Sequence, residues 1–438
     1  MPTTIPRPSA AQARRVATAS AVGTTVEWYD FFIYGTAAAT VFGPRFFPQV
    51  SPVVGTLSAF ATFGVGFLAR PLGGVVMGHF GDRIGRKSML VWSLLMMGVS
   101  TLGIGLLPDY SQIGVWAPTL LILMRLLQGF ALGGEWAGAV LMSVEHAPAE
   151  QRGYFGSIVG MGLPIGLVLS NLVFLIASVA AEPATFAAWG WRIPFVASAI
   201  LVVIGLFIRV RLDESPEFAA LQRKGLAARM PVLDLLRTDA ATVLLAAGTY
   251  TGISTSGYIV LVYFVSYATG VLKIPLPTVL GLVLVTASIF AVSVPMWARW
   301  SDRIGRPRVM LWGTGALIAW SAVFFPLLDT KSVPLMALGL GVVLVLQGAY
   351  IGTQPAFFAE LFPTSIRYSG ASLSNTLGTI LGGAPAPFVA AALFSATGTS
   401  TAVGAYITAM AAVSFVSVAI LRHRRGDMRP SPDRRSRP

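Results

Sequence analysis

Apolar runs, each about the length needed to cross ~30 Å of hydrocarbon as a helix, follow one another along the chain with short polar breaks between them. The pattern predicts twelve transmembrane helices, at about 20–42, 53–79, 88–107, 114–144, 153–180, 188–211, 241–267, 277–299, 309–328, 334–361, 366–393 and 399–421. Only one break is long, RLDESPEFAALQRKGLAARMPVLDLLRTDA (211–240), and it divides the spans six and six. The expected organisation is an N-terminal tail (1–19), a six-helix bundle (20–211), a central loop (212–240), a second six-helix bundle (241–421) and a basic C-terminal tail (422–438). The start of the chain places Arg7, Arg14 and Arg15 before an apolar run, as a signal peptide would. That run carries Glu27 and Asp30 and is followed by eleven more, so it reads as an uncleaved first span.

Composition agrees with an all-α membrane protein. Charged residues make up 11% of the chain and hydrophobic ones 55%, with a mean hydropathy of +0.73, whereas a soluble domain carries about 25% charged residues. The net charge of +13 invites a nucleic-acid reading, but its distribution argues against one. With the N-terminus inside, 25 Lys and Arg residues fall in cytoplasmic segments and 3 (Arg45, Lys273, Lys331) in outer loops. The positive-inside rule therefore puts both termini in the cytoplasm. There is no cysteine, and His79, His146 and His423 show no metal-ligand spacing. No nucleophile–base arrangement or phosphate loop argues for an enzyme, and no cofactor or metal is implied.

The chain also repeats itself. DRIGR occurs at 82–86 and at 302–306, and LQG at 127–129 and 346–348. Glu145, Pro148 and Arg152 are matched by Glu360, Pro363 and Arg367. These features recur in the same order at offsets of 220, 219 and 215 residues, which predicts two parallel six-helix repeats. In secondary transporters a substrate site lies between such halves.

The repeated loops resemble signatures of the major facilitator superfamily. Gly78, Asp82, Arg83, Gly85, Arg86 and Lys87 fit its G-x3-D-R-x-G-R-K pattern, and the second copy has Ala298 and Pro307 at the glycine and lysine positions. LILMRLLQGFALGG (121–134) fits a second signature through Arg125, Gln128 and Gly129. VEWYDFFIYG (26–35), FLARPLGG (67–74), QGFALGGEW (128–136), WGWRIPF (189–195), ESPEF (214–218) and ELFPTSIRYSG (360–370) resemble the metabolite:proton symporter family, whose members take up shikimate, 2-oxoglutarate, citrate, proline or betaine. The resemblance implies the major facilitator fold, twelve helices in two six-helix bundles, as a monomer in the bacterial cytoplasmic membrane. It further implies import of a small polar metabolite, foremost a shikimate-like or other small carboxylate, by symport with protons. The short C-terminal tail has no heptads, unlike osmosensing members, yet osmolyte import stays open as the alternative. Proton-driven export is a third reading, disfavoured because GSIVGMGLPIG (156–166) matches the glycine-rich antiporter signature only in part.

Embedded charges are the candidates for coupling, since an ionisable group in a span costs at least ~2.5 kcal/mol on insertion scales. At ~1.5 Å per residue, Glu27, Asp30, Arg70 and Glu135 fall at similar depths, with Arg125 higher in its helix. Asp30, Glu27, Glu135 and Arg125 are the proton-coupling candidates, and the superfamily resemblance links the arginine at 125 to proton transfer. The same residues read equally as static ion pairs or as groups snorkelling to the interface. Arg70 and Arg125 suit a substrate carboxylate. Tyr34, Tyr250, Tyr258, Gln347, Gln354 and Asn375 offer hydrogen bonds to a hydroxylated acid or rings to a quaternary ammonium, and otherwise serve packing. By resemblance the 82–86 loop and Asp302, Arg303 and Arg306 latch the halves, with the acid facing a helix N-terminus; Glu145, Arg152, Glu360 and Arg367 read as further gate residues. Trp189, Trp191 and Arg192 are expected in an interfacial belt. Pro164, Pro326, Pro355 and Pro385 are candidate bending points.

Overall fold

The computed structural model describes residues 10–84, 86–133, 135–145, 147–210, 231–363 and 366–425, without the side chains of 10–13, 15, 78–84, 86–88, 90, 142, 149, 208–210, 231–234 and 236–238. Helix α1 (Ala10–Ala37) passes into a π turn at Ala38–Phe42. α2 joins Pro52–Leu68 to Arg70–Ile84, and α3 is Arg86–Leu106. α4 joins Trp116–Ala131 to Glu135–Glu145, α5 joins Arg152–Gly160 to Gly162–Ala180, and α6 is Ile193–Val210. α7 (Pro231–Tyr258) continues through π turns at Ile259–Tyr263 and Tyr267–Val271. α8 is Leu276–Ile304 and α9 is Arg306–Asp329. α10 joins Val333–Ile351 to Gln354–Leu361. α11 runs from Arg367–Gly378 through a π turn at Thr379–Gly383 to Ala386–Thr397, and α12 is Thr401–Arg425.

Among the described residues nine segments are long and apolar enough to cross a membrane. α1, α3 and α7 complete the twelve. α1 carries Glu27 and Asp30, α3 has a shorter apolar stretch (Val91–Leu106), and α7 is diluted by the hydroxyl residues Thr249, Thr251, Ser254, Thr255 and Ser256. Local chemistry sets several ends. Ser51 accepts a hydrogen bond from the Val54 N–H ahead of Pro52, a cap with proline in the first turn. Gly398, at φ +69°, closes α11 in the left-handed conformation that glycine adopts without strain.

The two halves pack alike. α1 lies on α5 and α6, α3 on α4 and α6, and α2 on α4; correspondingly α7 lies on α11 and α12, α9 on α10 and α12, and α8 on α10. These are the same pairings displaced by six helices, so the sequence repeat is a structural one. The halves meet through α5 against α8 and α2 against α11. Asp109 and Asp329, 220 residues apart, close the far ends of the repeats. Asp109 pairs with Arg45 at 3.3 Å and accepts from Ser111, while Asp329 accepts from Tyr267 and, at 2.6 Å, from Ser400. Bonds from Ser111 in the first place, and Arg45 beside it, hold the Asp109 carboxyl below the usual carboxylate range.

Three expectations need correction. α1 begins at Ala10, inside the segment expected to be a tail. α7 begins at Pro231, inside the expected loop, but non-helical backbone at Asp239 (φ −146°, ψ 33°) separates that first piece from the rest. Trp191 does not belong to an interfacial belt: it is fully buried, edge-on to Phe42, Phe46 and Phe195, with Arg192 over its ring, whereas Trp189 is exposed. Of the four prolines, Pro355 and Pro385 sit beside breaks in α10 and α11, Pro164 lies just after the break at Met161, and Pro326 lies inside α9; α8 holds a further internal proline, Pro295.

With little hydrophobic drive between helices in lipid, close backbone approach through small residues supplies the packing. A Cβ at Gly129 of α4 would stand 1.7 Å from the Gly66 carbonyl oxygen of α2, and one at Gly73 would stand 1.9 Å from the Phe130 carbonyl oxygen. At Gly281 of α8 a Cβ would meet nothing within 4 Å. Gly129→Ala therefore forces two helices apart and is expected to cost at least the ~1–3 kcal/mol of ordinary overpacking. The check is the thermal transition of detergent-solubilised protein: Gly129→Ala should melt several degrees lower, and Gly281→Ala should match or exceed the unsubstituted chain.

Candidate functional site

Among the described residues Asp30 and Arg125 are joined by a chain of hydrogen bonds rather than by a salt bridge. Asp30, 2% exposed on α1, accepts at Oδ2 from the Thr101 hydroxyl of α3 at 2.8 Å, and its Oδ1 has no hydrogen-bond partner. Thr101 accepts from the Gln128 amide of α4 at 2.7 Å, and Gln128 accepts at Oε1 from Arg125 Nη1 at 3.1 Å. Arg125 is 3% exposed; its Nε and Nη2 donate to the Phe63 carbonyl at 3.4 Å, and its guanidinium lies 4.3 Å from the Tyr34 ring centroid, 5.0 Å from that of Phe31 and 5.1 Å from that of Phe63. Aromatic faces carry negative potential, so they hold a cation without neutralising it. Gly66 makes room: a Cβ there would lie 2.8 Å from Arg125 Nε.

The other embedded charges surround this chain. Arg70 stacks over Phe67 at 4.6 Å and faces Phe31 at 5.9 Å. It shares with Arg125 a gap lined by Phe31, Gly66, Phe67, Gly129 and Leu132. Glu135 accepts from Ser93 at 2.8 Å, and Glu27 is buried one turn before Asp30. Tyr34 donates to Thr62 at 2.7 Å.

A second gap lies between the halves. Trp28, Phe32 and Leu163 face Tyr250, Ser254, Tyr258 and Gln347 across it, and its volume is about 20 Å³. That holds one water, not a metabolite. The Tyr258 hydroxyl is buried without a hydrogen-bond partner, while its ring packs on Phe31, Phe63 and Phe67, next to the arginine gap. Gln347 donates to Ser256 at 3.2 Å. Gln354 and Asn375 do not line this gap; they bond each other at 2.9 Å.

The halves touch at both ends. At the end carrying DRIGR, Asp302 of α8 accepts from the Gly153 and Tyr154 N–H groups at the start of α5, at 3.0 and 3.1 Å. Arg306, fully buried, bridges Asp302 at 2.8 Å and Glu360 at 3.2 Å and donates to the Ser301 carbonyl at 2.7 Å. Arg367 pairs with Glu145 across the halves at 3.0 Å, and Arg299 stacks over Tyr154 at 4.4 Å. Arg152, half-buried, begins α5 beside Glu360, and Arg303 is exposed. Gly78, Asp82, Arg83, Gly85 and Arg86 lie outside the described side chains. At the opposite end Gly35 abuts Val262, and Gly64 abuts the Ala384 carbonyl.

Sequence reasoning missed Thr101, Trp28, Ser254, Tyr154 and Arg299, and it placed Gln128 only as part of a motif. Gln128 was within reach, since it lies three residues after Arg125 and so on the same helix face. Nothing in MGVSTLGIG (97–105) distinguishes Thr101 from other hydroxyls that return a bond to their own helix.

The family model described as Major Facilitator Superfamily matches residues 20–387 and 277–437. The chain is 43% identical to the shikimate transporter of Escherichia coli (strain K12), over 88% of this chain and 89% of that protein. It is 42% identical to the inner membrane metabolite transport protein YhjE of the same organism, over 93% and 94%. It is 34% identical to a putative proline/betaine transporter of Staphylococcus haemolyticus (strain JCSC1435), over 93% and 87%. Among solved structures it superposes on the xylose transporter XylE from E. coli in a partially occluded inward open conformation, with a TM-score of 0.74 at 15% identity, over 98% of this chain and 100% of that one.

Because the chain has no cysteine, one introduced at Ile351, in the gap between the halves, reports opening without background. Asp302→Ala removes two charge-assisted bonds to α5, and hydrogen bonds to charged groups are worth about 1.5–3 kcal/mol. Maleimide should label Ile351→Cys about tenfold faster in the Asp302→Ala background in detergent, while Arg303→Ala should leave the rate unchanged.

Proposed function

Because the chain belongs to the major facilitator superfamily and, within it, to the metabolite:proton symporter family, and is thus a multi-pass membrane transporter rather than an enzyme, we propose that it imports a small carboxylate, shikimate-like in class, together with protons. The observation that carries this reading is the buried chain from Asp30 to Arg125: an unpaired carboxyl group and a guanidinium in one apolar interior, beside a gap at the junction of the halves. A carboxylate that changes surroundings as the halves rock changes its affinity for protons, and that difference between states is what coupling requires. Arg70 and Arg125 would receive the substrate's carboxylate, and Tyr258, Tyr250, Ser254 and Gln347 its hydroxyl groups. Glu27 and Glu135 are the reserve proton carriers. The contacts of Asp302, Arg306, Glu145 and Arg367 would form the inner gate, with both termini in the cytoplasm of a bacterium and the chain working as a monomer driven by the proton gradient.

For a neutral or charge-compensated substrate one proton suffices energetically: at ~100 mV its charge is worth ~2.3 kcal/mol, which supports roughly fifty-fold accumulation at ~1.4 kcal/mol per tenfold. A monoanionic carboxylate draws on the potential only when a second proton accompanies it. The second reading is proline or betaine symport, favoured by the aromatic lining of the gap (Trp28, Phe32, Tyr250, Tyr258), which suits a quaternary ammonium.

Reconstituted vesicles holding a pH-sensitive dye test both readings, with shikimate, 2-oxoglutarate, citrate, proline and betaine added in turn. Acidification by shikimate or another of the acids, lost at least tenfold in Asp30→Asn, is the expected outcome. Acidification by betaine or proline alone replaces the substrate class. Uptake of labelled shikimate without proton movement would sink symport.

A further inference from the structure

The hydrogen-bond chain around Asp30 has a direction, and the direction comes from its arginine. A guanidinium has donors only, so Gln128 must turn its carbonyl oxygen to Arg125 and its NH2 to Thr101. Thr101 Oγ1 therefore already accepts one bond, and its single proton has two acceptors within reach: Asp30 Oδ2 at 2.8 Å and the Met97 carbonyl, one turn back on its own helix, at 3.0 Å. We propose that Thr101 is a positioning residue whose hydroxyl rotates with the protonation state of Asp30, and so sets how tightly Asp30 holds its proton. The proposal rests on the reading of Asp30 as the coupling carboxylate.

With Asp30 ionised, the hydroxyl donates to Oδ2 and stabilises the charge. With a proton on Oδ2, the bond reverses: Asp30 donates to Oγ1, which now accepts from both Asp30 and Gln128 through its two lone pairs and donates to the Met97 carbonyl. The Thr101 hydroxyl, the Gln128 amide and Asp30 Oδ2 stay paired in both states, and neither Gln128 nor Arg125 has to move. Oδ1, without a partner, leaves the carboxyl group a face at which a proton can arrive. The ionisable groups facing Asp30 are Arg125 of α4, through Gln128, and Tyr29 of α1, whose hydroxyl donates to the Pro194 carbonyl at 2.8 Å. Arg70 of α2 stands behind Arg125, and Glu27 lies one turn along α1. Thr101 is the only residue of α3 that bonds the carboxylate among the described residues.

Removing a donor from a carboxylate favours its protonated form. The test reads Asp30 directly, through the C=O stretch of its protonated carboxyl group in infrared difference spectra of reconstituted protein titrated with pH, with no substrate present. Asp30→Asn assigns the band by removing it. Thr101→Val should move the titration midpoint up by about one pH unit or more, a tenfold gain in proton affinity, and Thr101→Ser, which keeps the hydroxyl, should restore it. A titrating Asp30 band with the same midpoint in Thr101→Val overturns the role of Thr101 and leaves coupling through Asp30 standing. Absence of any titrating band that depends on Asp30 overturns the coupling reading itself.

Discussion

A guanidinium in a dry interior cannot shed its proton and has no water to lean on. Arg125 meets that constraint without a carboxylate in contact. Its donors go to the Phe63 carbonyl and the Gln128 side chain, and three aromatic faces surround its charge. Those partners come from α1, α2 and α4, so the position of one side chain fixes how three helices sit. Gly66 is required for room beside it, and Gly129 for the close crossing of α2 and α4. Gln128, oriented by the arginine, then orients Thr101, and Thr101 meets Asp30. A single permanent charge thereby imposes its polarity across the first half.

The second half repeats the scaffold but not the charge. At the repeat's offset of about 220 residues, Asp30 corresponds to Tyr250 and Arg125 to Leu344, while Gln128 keeps its counterpart in Gln347. Gln347, with no arginine to face, bonds Ser256 and lines the central gap with Tyr250 and Tyr258. Where the first half holds ionised groups, the second holds neutral hydrogen-bonding ones. This is the division of labour a coupled transporter can use, with proton chemistry on one side of the interface and recognition of a polar metabolite on the other. By contrast, Asp109 and Asp329 show symmetry retained where the task is structural, each tying the far end of its half.

Hydropathy made the twelve spans legible because lipid imposes a length on every crossing element, and the DRIGR and LQG repeats made the two halves legible. The ends of α1 and α7 were not, because Ala10 to Ser20 and Pro231 to Ala240 are helical without being apolar enough to read as span. Trp191 was misread because the interfacial rule depends on distance from a span end, while burial against Phe42, Phe46 and Phe195 depends on packing between segments far apart in sequence. The ionisable members of the site stood out as charges in greasy surroundings. Thr101 did not, since a hydroxyl in a span usually bonds its own helix, and only the fold brings α3 and α4 to Asp30. The central gap was equally illegible, its walls coming from α1, α5, α7 and α10.

The closed state seen here depends on unequal contacts. The Arg367–Glu145 pair is part-exposed, at 20% and 28% of the side-chain surface, and water weakens it to the ~0–1 kcal/mol of surface pairs. Asp302 is better placed. Its side chain is 8% exposed, it accepts two backbone N–H groups at the start of α5 where the helix dipole adds favourable potential, and the buried Arg306 braces it from its own helix. Releasing Asp302 returns two N–H groups and a carboxylate to water, which recovers much of their bonding. The latch is therefore worth only a few kcal/mol net, within the range that keeps a minor open state populated. A gate meant to close firmly would bury both partners of several ion pairs. Among the described residues the acid set against a helix end across the halves is Asp302, so opening the gap from the room of one water to that of a metabolite stays within reach of substrate binding energy.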